Sequence, residues 1–178
     1  GVMKVTSVNV GTAKRISVGT RTVMSAIGKQ PAASRVGVLP LGLVGDEQAD
    51  LSVHGGLSKA VYAYPSEHFA FWRTVRAQAG VALWDATLDP GAFGENLTLA
   101  GLTEDRTWVG DVLRFPHCAL AVSEPRQPCF KFNAAMGFSQ AARLMQQSGY
   151  CGAYLTVIEP GTVQAGDVID HYRLIRDL

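Results

Sequence analysis

Three short segments carry most of the chemically capable side chains in this chain. One of them, Ser123-Glu124-Pro125-Arg126-Gln127-Pro128-Cys129, ends in a cysteine with a cation three residues before it. Thiolate is the nucleophilic and metal-binding form of cysteine, and a neighbouring arginine favours it. Pro125 and Pro128 fix their own φ and push Glu124 and Gln127 toward extended backbone. A stiff, extended peptide of this kind aims the Cys129 sulfur at a fixed point. Free cysteine also packs as a small buried hydrophobe, so the segment alone leaves both roles open.

A second segment, Gly45-Asp46-Glu47-Gln48-Ala49-Asp50-Leu51-Ser52-Val53-His54-Gly55-Gly56, packs three carboxylates, a histidine and a glycine pair into twelve residues. Glycines let backbone N–H groups approach an anion, and successive N–H groups form an anion nest. Lys59 lies just beyond and adds a point charge for phosphate. The alternative is a polar loop in which Asp46 and Asp50 satisfy turn amides. The remaining segment is Phe93-Gly94-Glu95-Asn96-Leu97-Thr98. Asn96 offers a donor and an acceptor together, which suits the edge of a heterocycle. Glu95 reads as a cap or an ion-pair partner, and no two carboxylates stand out as an acid–base couple.

The cysteines Cys118, Cys129 and Cys151 are an odd set without a C-x-x-C pair, which argues against a zinc ribbon, a thioredoxin-type pair or a disulfide framework. His117, Cys118, Cys129 and Cys151 lack the paired spacing of a zinc site. A Cys129–His54 hydrolase lacks a nucleophile-elbow sequence.

These segments need elements to position them. At 178 residues, 47% hydrophobic and 17% charged, the chain reads as one domain with a sizeable core, residues 1–178 throughout. Gly1 and Val2 read as an addition ahead of a native Met3. A net charge of +1 without an obvious basic stripe gives little support for nucleic-acid binding. No membrane span or secretory signal is visible, so no membrane partner and a cytoplasmic location are expected.

Short strands are expected at Met3–Val10, Thr22–Ile27, Arg35–Val38, Ala60–Ala63, Val112–Pro116, Ala119–Ser123, Ala153–Glu159 and Val168–Leu174, a barrel or sandwich pattern. One helix is expected to start at Pro65 and stop at Gly80, and another to run from an Ser139 N-cap to Gly149. Glu159-Pro160-Gly161-Thr162 has the residues of a type II turn. Gly45-Asp46, Gly110-Asp111 and Gly166-Asp167 read as repeated turn chemistry at barrel corners.

His54-Gly55-Gly56 with Lys59, the Gly94-Glu95-Asn96 turn and the Pro-Arg-x-Pro-Cys peptide, in this order, resemble the MOSC domain. The chain is most similar to its stand-alone bacterial YiiM-type branch. The resemblance runs from about Lys4 to Tyr172 and includes Lys59-Ala60-Val61-Tyr62-Ala63-Tyr64-Pro65 and Gly152-x-Tyr154. It implies a mainly β fold with minor α, a MOSC-type β-barrel similar to the pyruvate kinase barrel domain with a few short helices. It also implies binding of the molybdenum cofactor, a molybdopterin.

The family's key cysteine matches Cys129, which would ligate the metal. A soft thiolate beside the soft dithiolene sulfurs is consistent chemistry. The resemblance would have Arg126 stabilise that thiolate and contact the pterin phosphate. Lys59 and the Gly55-Gly56 backbone would hold phosphate or pterin, with His54 and Asn96 lining the same pocket. Relatives carry a helical extension after the barrel, whereas this sequence stops at Leu178.

The activity implied is an oxidoreductase that reduces N-hydroxylated bases or hydroxylamines, with Glu124 or His54 as a proton relay. Its partners would be the small N-hydroxylated substrate and an external electron-donor protein. The alternatives are a sulfur- or cofactor-carrier module without its own turnover, and a metal-free barrel binding a small anion.

Overall fold

The computed structural model describes residues 2–11, 28–47 and 56–173, and the backbone of 14–18 and 21–25. Strand β1 is Lys4–Val10. A hairpin of β2 (Lys14–Val18) and β3 (Arg21–Ser25) follows, then short β4 (Gln30–Pro31), β5 (Val36–Leu39) and β6 (Gly42–Leu43). Next come β7 (Val61–Pro65), helix α1 (Phe69–Gln78), β8 (Leu97–Ala100), β9 (Val112–Phe115) and β10 (Cys118–Pro125). Helices α2 (Phe130–Met136) and α3 (Ala141–Ser148) precede β11 (Ala153–Glu159), β12 (Gly161–Val163) and β13 (Asp170–Tyr172).

Eight of these strands form one sheet in the order β13-β9-β10-β11-β7-β8-β1-β4. Its pairs are antiparallel except β7 with β8, which are parallel and need a crossover, supplied by α1 and the loop after it. The sheet curls until its margins meet. Val5 N–H donates to Asp167 O at 2.8 Å, Gly166 N–H to Val5 O at 2.7 Å and Ile169 N–H to Met3 O at 2.9 Å, which ties the approach to β13 onto β1. The molecule is therefore mainly β and barrel-like with a few short helices, as the resemblance implied.

β7 separates two cores. All five of its residues are buried, and the period-two alternation of a strand sorts them. Val61 and Ala63 join the aliphatic barrel interior with Val5, Leu97, Leu113, Leu120 and Leu155. Tyr62 and Tyr64 point the other way, into an aromatic cluster with Trp72, Phe93, Phe132 and Met145 beneath the helices. The Tyr64 and Phe93 rings stack at 4.4 Å, and such pairs add about 0.5–1.5 kcal/mol beyond area burial.

The three Gly-Asp turns do share one geometry. Gly45, Gly110 and Gly166 have φ of 85°, 94° and 93°. The aspartate N–H that follows each donates to the carbonyl three residues back, at 3.2, 3.0 and 3.2 Å respectively.

Several expectations are corrected. Pro65 is the last residue of β7, and a 3-10 turn at Ser66–His68 intervenes before α1. α3 begins at Ala141 with Gln140 before it, and Asn133 of α2 supplies the cap by accepting Ala142 N–H at 2.7 Å, so Ser139 is not used. Gly161 does not adopt the positive φ that a type II turn requires and instead starts β12. The last strand is shorter than Val168–Leu174, and Leu174 lies outside the described residues. Strands β2, β4, β6, β8 and β12 and helix α2 were not anticipated.

Candidate functional site

β10 delivers the Pro-Arg-x-Pro-Cys peptide. Glu124 and Pro125 end the strand opposite Tyr154 and Ala153 of β11. Cys129, itself extended with φ −117° and ψ 180°, sits immediately before α2. Cys129 is half-buried, whereas Cys118 is buried in the barrel core. Burial pushes the Cys118 thiol up to about 12 and raises that of Cys151 as well.

Arg126 turns inward and is only 7% exposed. Its Nη1 donates to Phe93 O at 2.7 Å and to the Tyr62 hydroxyl at 3.3 Å. The guanidinium lies 4.9 Å from the Tyr62 ring centre and 5.0 Å from that of Phe132. Burial works against its charge, but Tyr62, Tyr154 and Cys129 hold its pKa above the usual guanidinium value. Tyr62 is itself fixed, because its hydroxyl donates to Cys151 O.

Tyr154 links this buried group to the surface. Its ring is 5.1 Å from that of Tyr62 and lies under Lys59 Nζ at 5.5 Å. Burial raises its hydroxyl pKa; Arg126 opposes that shift, while Cys129 and Glu124 add to it. Lys59 ends a 3-10 turn, Leu57–Lys59, and pairs with Glu124 at 3.3 Å. The Ser123 hydroxyl bonds Ser58 O and Tyr154 O, which holds that turn against β10 and β11. Gly56 opens the turn at φ 90°, with none of the described residues within 4 Å of where a Cβ would stand.

The fold thus gathers Cys129, Arg126, Lys59 and Gly56 around one end of β10 and β11. His54 and Gly55 lie outside the described residues. Asn96 is placed differently from the expectation of a ligand-reading amide. It is 3% exposed; its oxygen accepts Tyr62 N–H at 3.0 Å, and its nitrogen donates to Asp46 at 2.9 Å and Asn9 O at 3.3 Å. With all its groups engaged, Asn96 holds β7 and the Asp46 turn together. The sequence reading assigned no role to Tyr62 and Tyr154, although both stood in quoted motifs. Their common position only emerges when β11 pairs with β7, placing Tyr154 opposite Tyr62.

A cavity of about 30 Å³ between Tyr64, Leu102, Glu104, Val122 and Leu155 has room for a water, not for a cofactor. Among the described residues no three His, Cys, Asp or Glu side chains gather as a metal cage.

The family profile of the MOSC domain matches residues 50–170, a span that contains every residue of this cluster. The chain belongs to the MOSC domain family. It is 40% identical over 162 residues to the uncharacterized protein YflK of Bacillus subtilis, covering 91% of this chain and 70% of YflK. It is 39% identical over 155 residues to protein YiiM of Escherichia coli, covering 86% of this chain and 66% of YiiM. A protein named reductase from Gibberella moniliformis is 33% identical over 148 residues, 83% of this chain but 25% of that protein. The crystal structure of YiiM from Geobacillus stearothermophilus superposes with a TM-score of 0.74 at 32% identity, covering 96% of this chain and 75% of that one. This MOSC chain therefore spans only part of each of these relatives. No helix among its described residues is long and apolar enough to cross a membrane.

Proposed function

We propose that this MOSC protein binds the molybdenum cofactor through Cys129 and reduces N-hydroxylated compounds, such as N-hydroxylated bases or hydroxylamines. The observation that carries the proposal is the half-buried Cys129 held beside Arg126 and Tyr154, with Lys59 over the Tyr154 ring. A metal that brings its own sulfur ligands needs one protein thiolate rather than a cage, and such donors suit a soft metal. A relative named reductase supports a redox role in this family.

The reaction takes R–NHOH, two electrons and two protons to R–NH2 and water. The cofactor, when bound, supplies the two-electron and oxygen-accepting chemistry. The chain supplies grip and placement. Cys129 holds the metal. Lys59 exchanges Glu124 for the cofactor phosphate, at little cost because their pair is partly exposed, at 28% and 40%. The Gly55-Gly56 backbone and His54 would complete the anion cradle, with Gly56 opening the Lys59 turn at φ 90°. Arg126, bonded to Phe93 O and Tyr62, fixes the peptide that carries Cys129. Glu124, exposed at the rim, is placed to exchange protons with solvent. Electrons come from an external donor protein.

The test is molybdenum by elemental mass spectrometry with fluorescence of the oxidised pterin, on protein made in a cofactor-competent host. Near-stoichiometric metal and pterin are expected, lost in Cys129→Ala with the circular dichroism unchanged. Cys118→Ala and Cys151→Ala should keep both, because burial disfavours the thiolate at each. Lys59→Ala should lower cofactor retention. Neither signal in a host whose other molybdoenzymes are loaded would overturn the proposal. A reductant-removable sulfur on Cys129 in that protein would indicate the carrier function instead.

A further inference from the structure

Charge is segregated along this nearly neutral chain. Its first 45 residues hold six cations (Lys4, Lys14, Arg15, Arg21, Lys29 and Arg35) and no carboxylate; Asp46 is the first. Since the whole chain has a net charge of +1, the remainder is acidic. Lys14, Arg15 and Arg21 fall on β2 and β3, which form a two-stranded sheet apart from the barrel. A lone two-stranded ribbon is marginally stable in water, so its roots and its support must place it.

Both roots are tied to one buried carboxylate. Asp46 Oδ1 accepts Gly11 N–H at 3.1 Å on one side of the hairpin and Lys29 Nζ at 2.8 Å on the other. The Asp46 and Lys29 side chains are 4% and 6% exposed. Gly11 O accepts Glu47 N–H at 2.9 Å, and Lys29 N–H donates to Gly91 O at 3.1 Å. Asp46 Oδ2 reaches Asn96, whose turn also offers Phe93 O to Arg126. The hairpin is thus rooted in the same turn that fixes the cysteine peptide. Its strand β2 lies against α2, the helix that starts directly after Cys129.

The register pairs Lys14 with Ser25, Ile16 with Val23 and Val18 with Arg21. Lys14 and Arg21 thus hold register positions at opposite ends of the ribbon, with Ile16 and Val23 paired between them, and Arg15 pairs with Met24.

We infer that the hairpin 14–25 is the docking arm for an acidic electron-transfer protein, which it brings to the α2 end of the molecule beside Cys129. The inference rests on the proposed redox function, which requires an outside donor. A ribbon with three cations and no carboxylate, rooted in the turn that also holds Arg126 of the cysteine peptide, steers a partner of opposite charge.

The test uses the cofactor-loaded protein and a plant-type ferredoxin, a small acidic iron–sulfur protein, as the probe. Binding at low and high salt is compared for the wild type, for Lys14→Glu/Arg15→Glu/Arg21→Glu, and for Arg73→Glu/Arg114→Glu/Arg143→Glu, which changes net charge equally elsewhere. The hairpin triple should weaken low-salt binding by at least about tenfold and flatten its salt dependence, while the control triple stays within about threefold. Equal losses in both triples, or none in the hairpin triple, would overturn the inference. So would loss of molybdenum and pterin from the hairpin triple, which would make the hairpin part of the cofactor site. Hairpin-dependent binding of single-stranded DNA with ferredoxin binding unchanged would overturn it in favour of a polyanion. Reduced methyl viologen, which needs no docking, should drive N-hydroxy reduction equally in wild type and hairpin triple. Its failure in the wild type would sink the proposed function, while the ferredoxin comparison would still judge the arm.

Discussion

At the Phe93-Gly94-Glu95-Asn96 turn the side chains face in and the backbone does the presenting. Phe93 O receives Arg126, while Phe93 N–H donates to Glu95 Oε1 at 3.2 Å. Glu95 is fully buried; Thr98 donates to its other oxygen at 2.8 Å. Burial pushes the Glu95 carboxyl up to about 7, with those hydrogen bonds opposing the shift. The sign follows from linkage. At acid pH the carboxyl is protonated folded and unfolded alike and contributes nothing. From the ordinary glutamate pKa up to about 7 the unfolded carboxyl ionises first, so stability falls as pH rises, and the loss is complete above about 7. Glu95→Gln lacks this dependence. The stability of the wild type minus that of Glu95→Gln should therefore drop across this window by up to about 3 kcal/mol. Urea titrations of both proteins at several pH values measure it, and a flat difference would show that Glu95 ionises freely in the fold. Sequence alone read Glu95 as a cap or an ion-pair partner and faced Asn96 toward a ligand. Polar types at a turn look the same whether they read a heterocycle or satisfy buried amides, and only the closing of β8 on β1 and β7 decides it.

The elements around the site show where local pattern suffices and where it does not. β1, β10 and β11 were legible because apolar residues recur along a long enough run. The Gly-Asp turns were legible because a positive φ followed by a turn amide has a residue signature. Strands β4, β6 and β12, of two or three residues, are too short to show alternation and exist because a neighbour pairs with them. Helix α2 was hidden by the two prolines before it, and its partner α3 takes its cap from Asn133, a residue eight positions upstream of its first residue. The hairpin roots depend on long-range contacts of the same kind. Asp46 reaches back to Gly11 and Lys29 and forward to Asn96. Removing that carboxylate leaves the Lys29 ammonium buried without its counter-charge, a situation that costs about 3–5 kcal/mol. Asp46→Ala should lower the urea midpoint accordingly, and adding Lys29→Met should recover part of the loss. A cost below about 1 kcal/mol for Asp46→Ala would mean that Lys29 escapes to water and the hairpin roots are loose.

Across the whole molecule, the candidate site depends on the barrel and the smaller sheet keeping their relative position. β12 leaves the barrel strand β11 after one residue, Pro160, and pairs with β5 in a separate three-stranded sheet. At that crossing Gly161 presses on the β9–β10 turn: a Cβ there would stand 1.7 Å from His117 O and 3.5 Å from Cys118 Cβ. Thr162 N–H donates to the same His117 carbonyl at 3.2 Å. Glycine is needed here for close approach rather than for its φ, which explains why the Pro-Gly pair is not the turn its residues suggested. His117 directly precedes β10, the strand whose far end delivers Arg126 and Cys129. Gly161→Ala must therefore either part the two sheets or shift the start of β10. Overpacking of this kind costs about 1–3 kcal/mol or more. Gly166→Ala is the natural control, since a Cβ there meets open space and only the φ of 93° is disfavoured. Thermal denaturation should place Gly161→Ala below Gly166→Ala. If β10 transmits the shift, Gly161→Ala should also retain less molybdenum than Gly166→Ala at a temperature where both are folded. Equal melting of the two variants would mean that the small sheet yields freely and does not brace the strand that carries the cysteine.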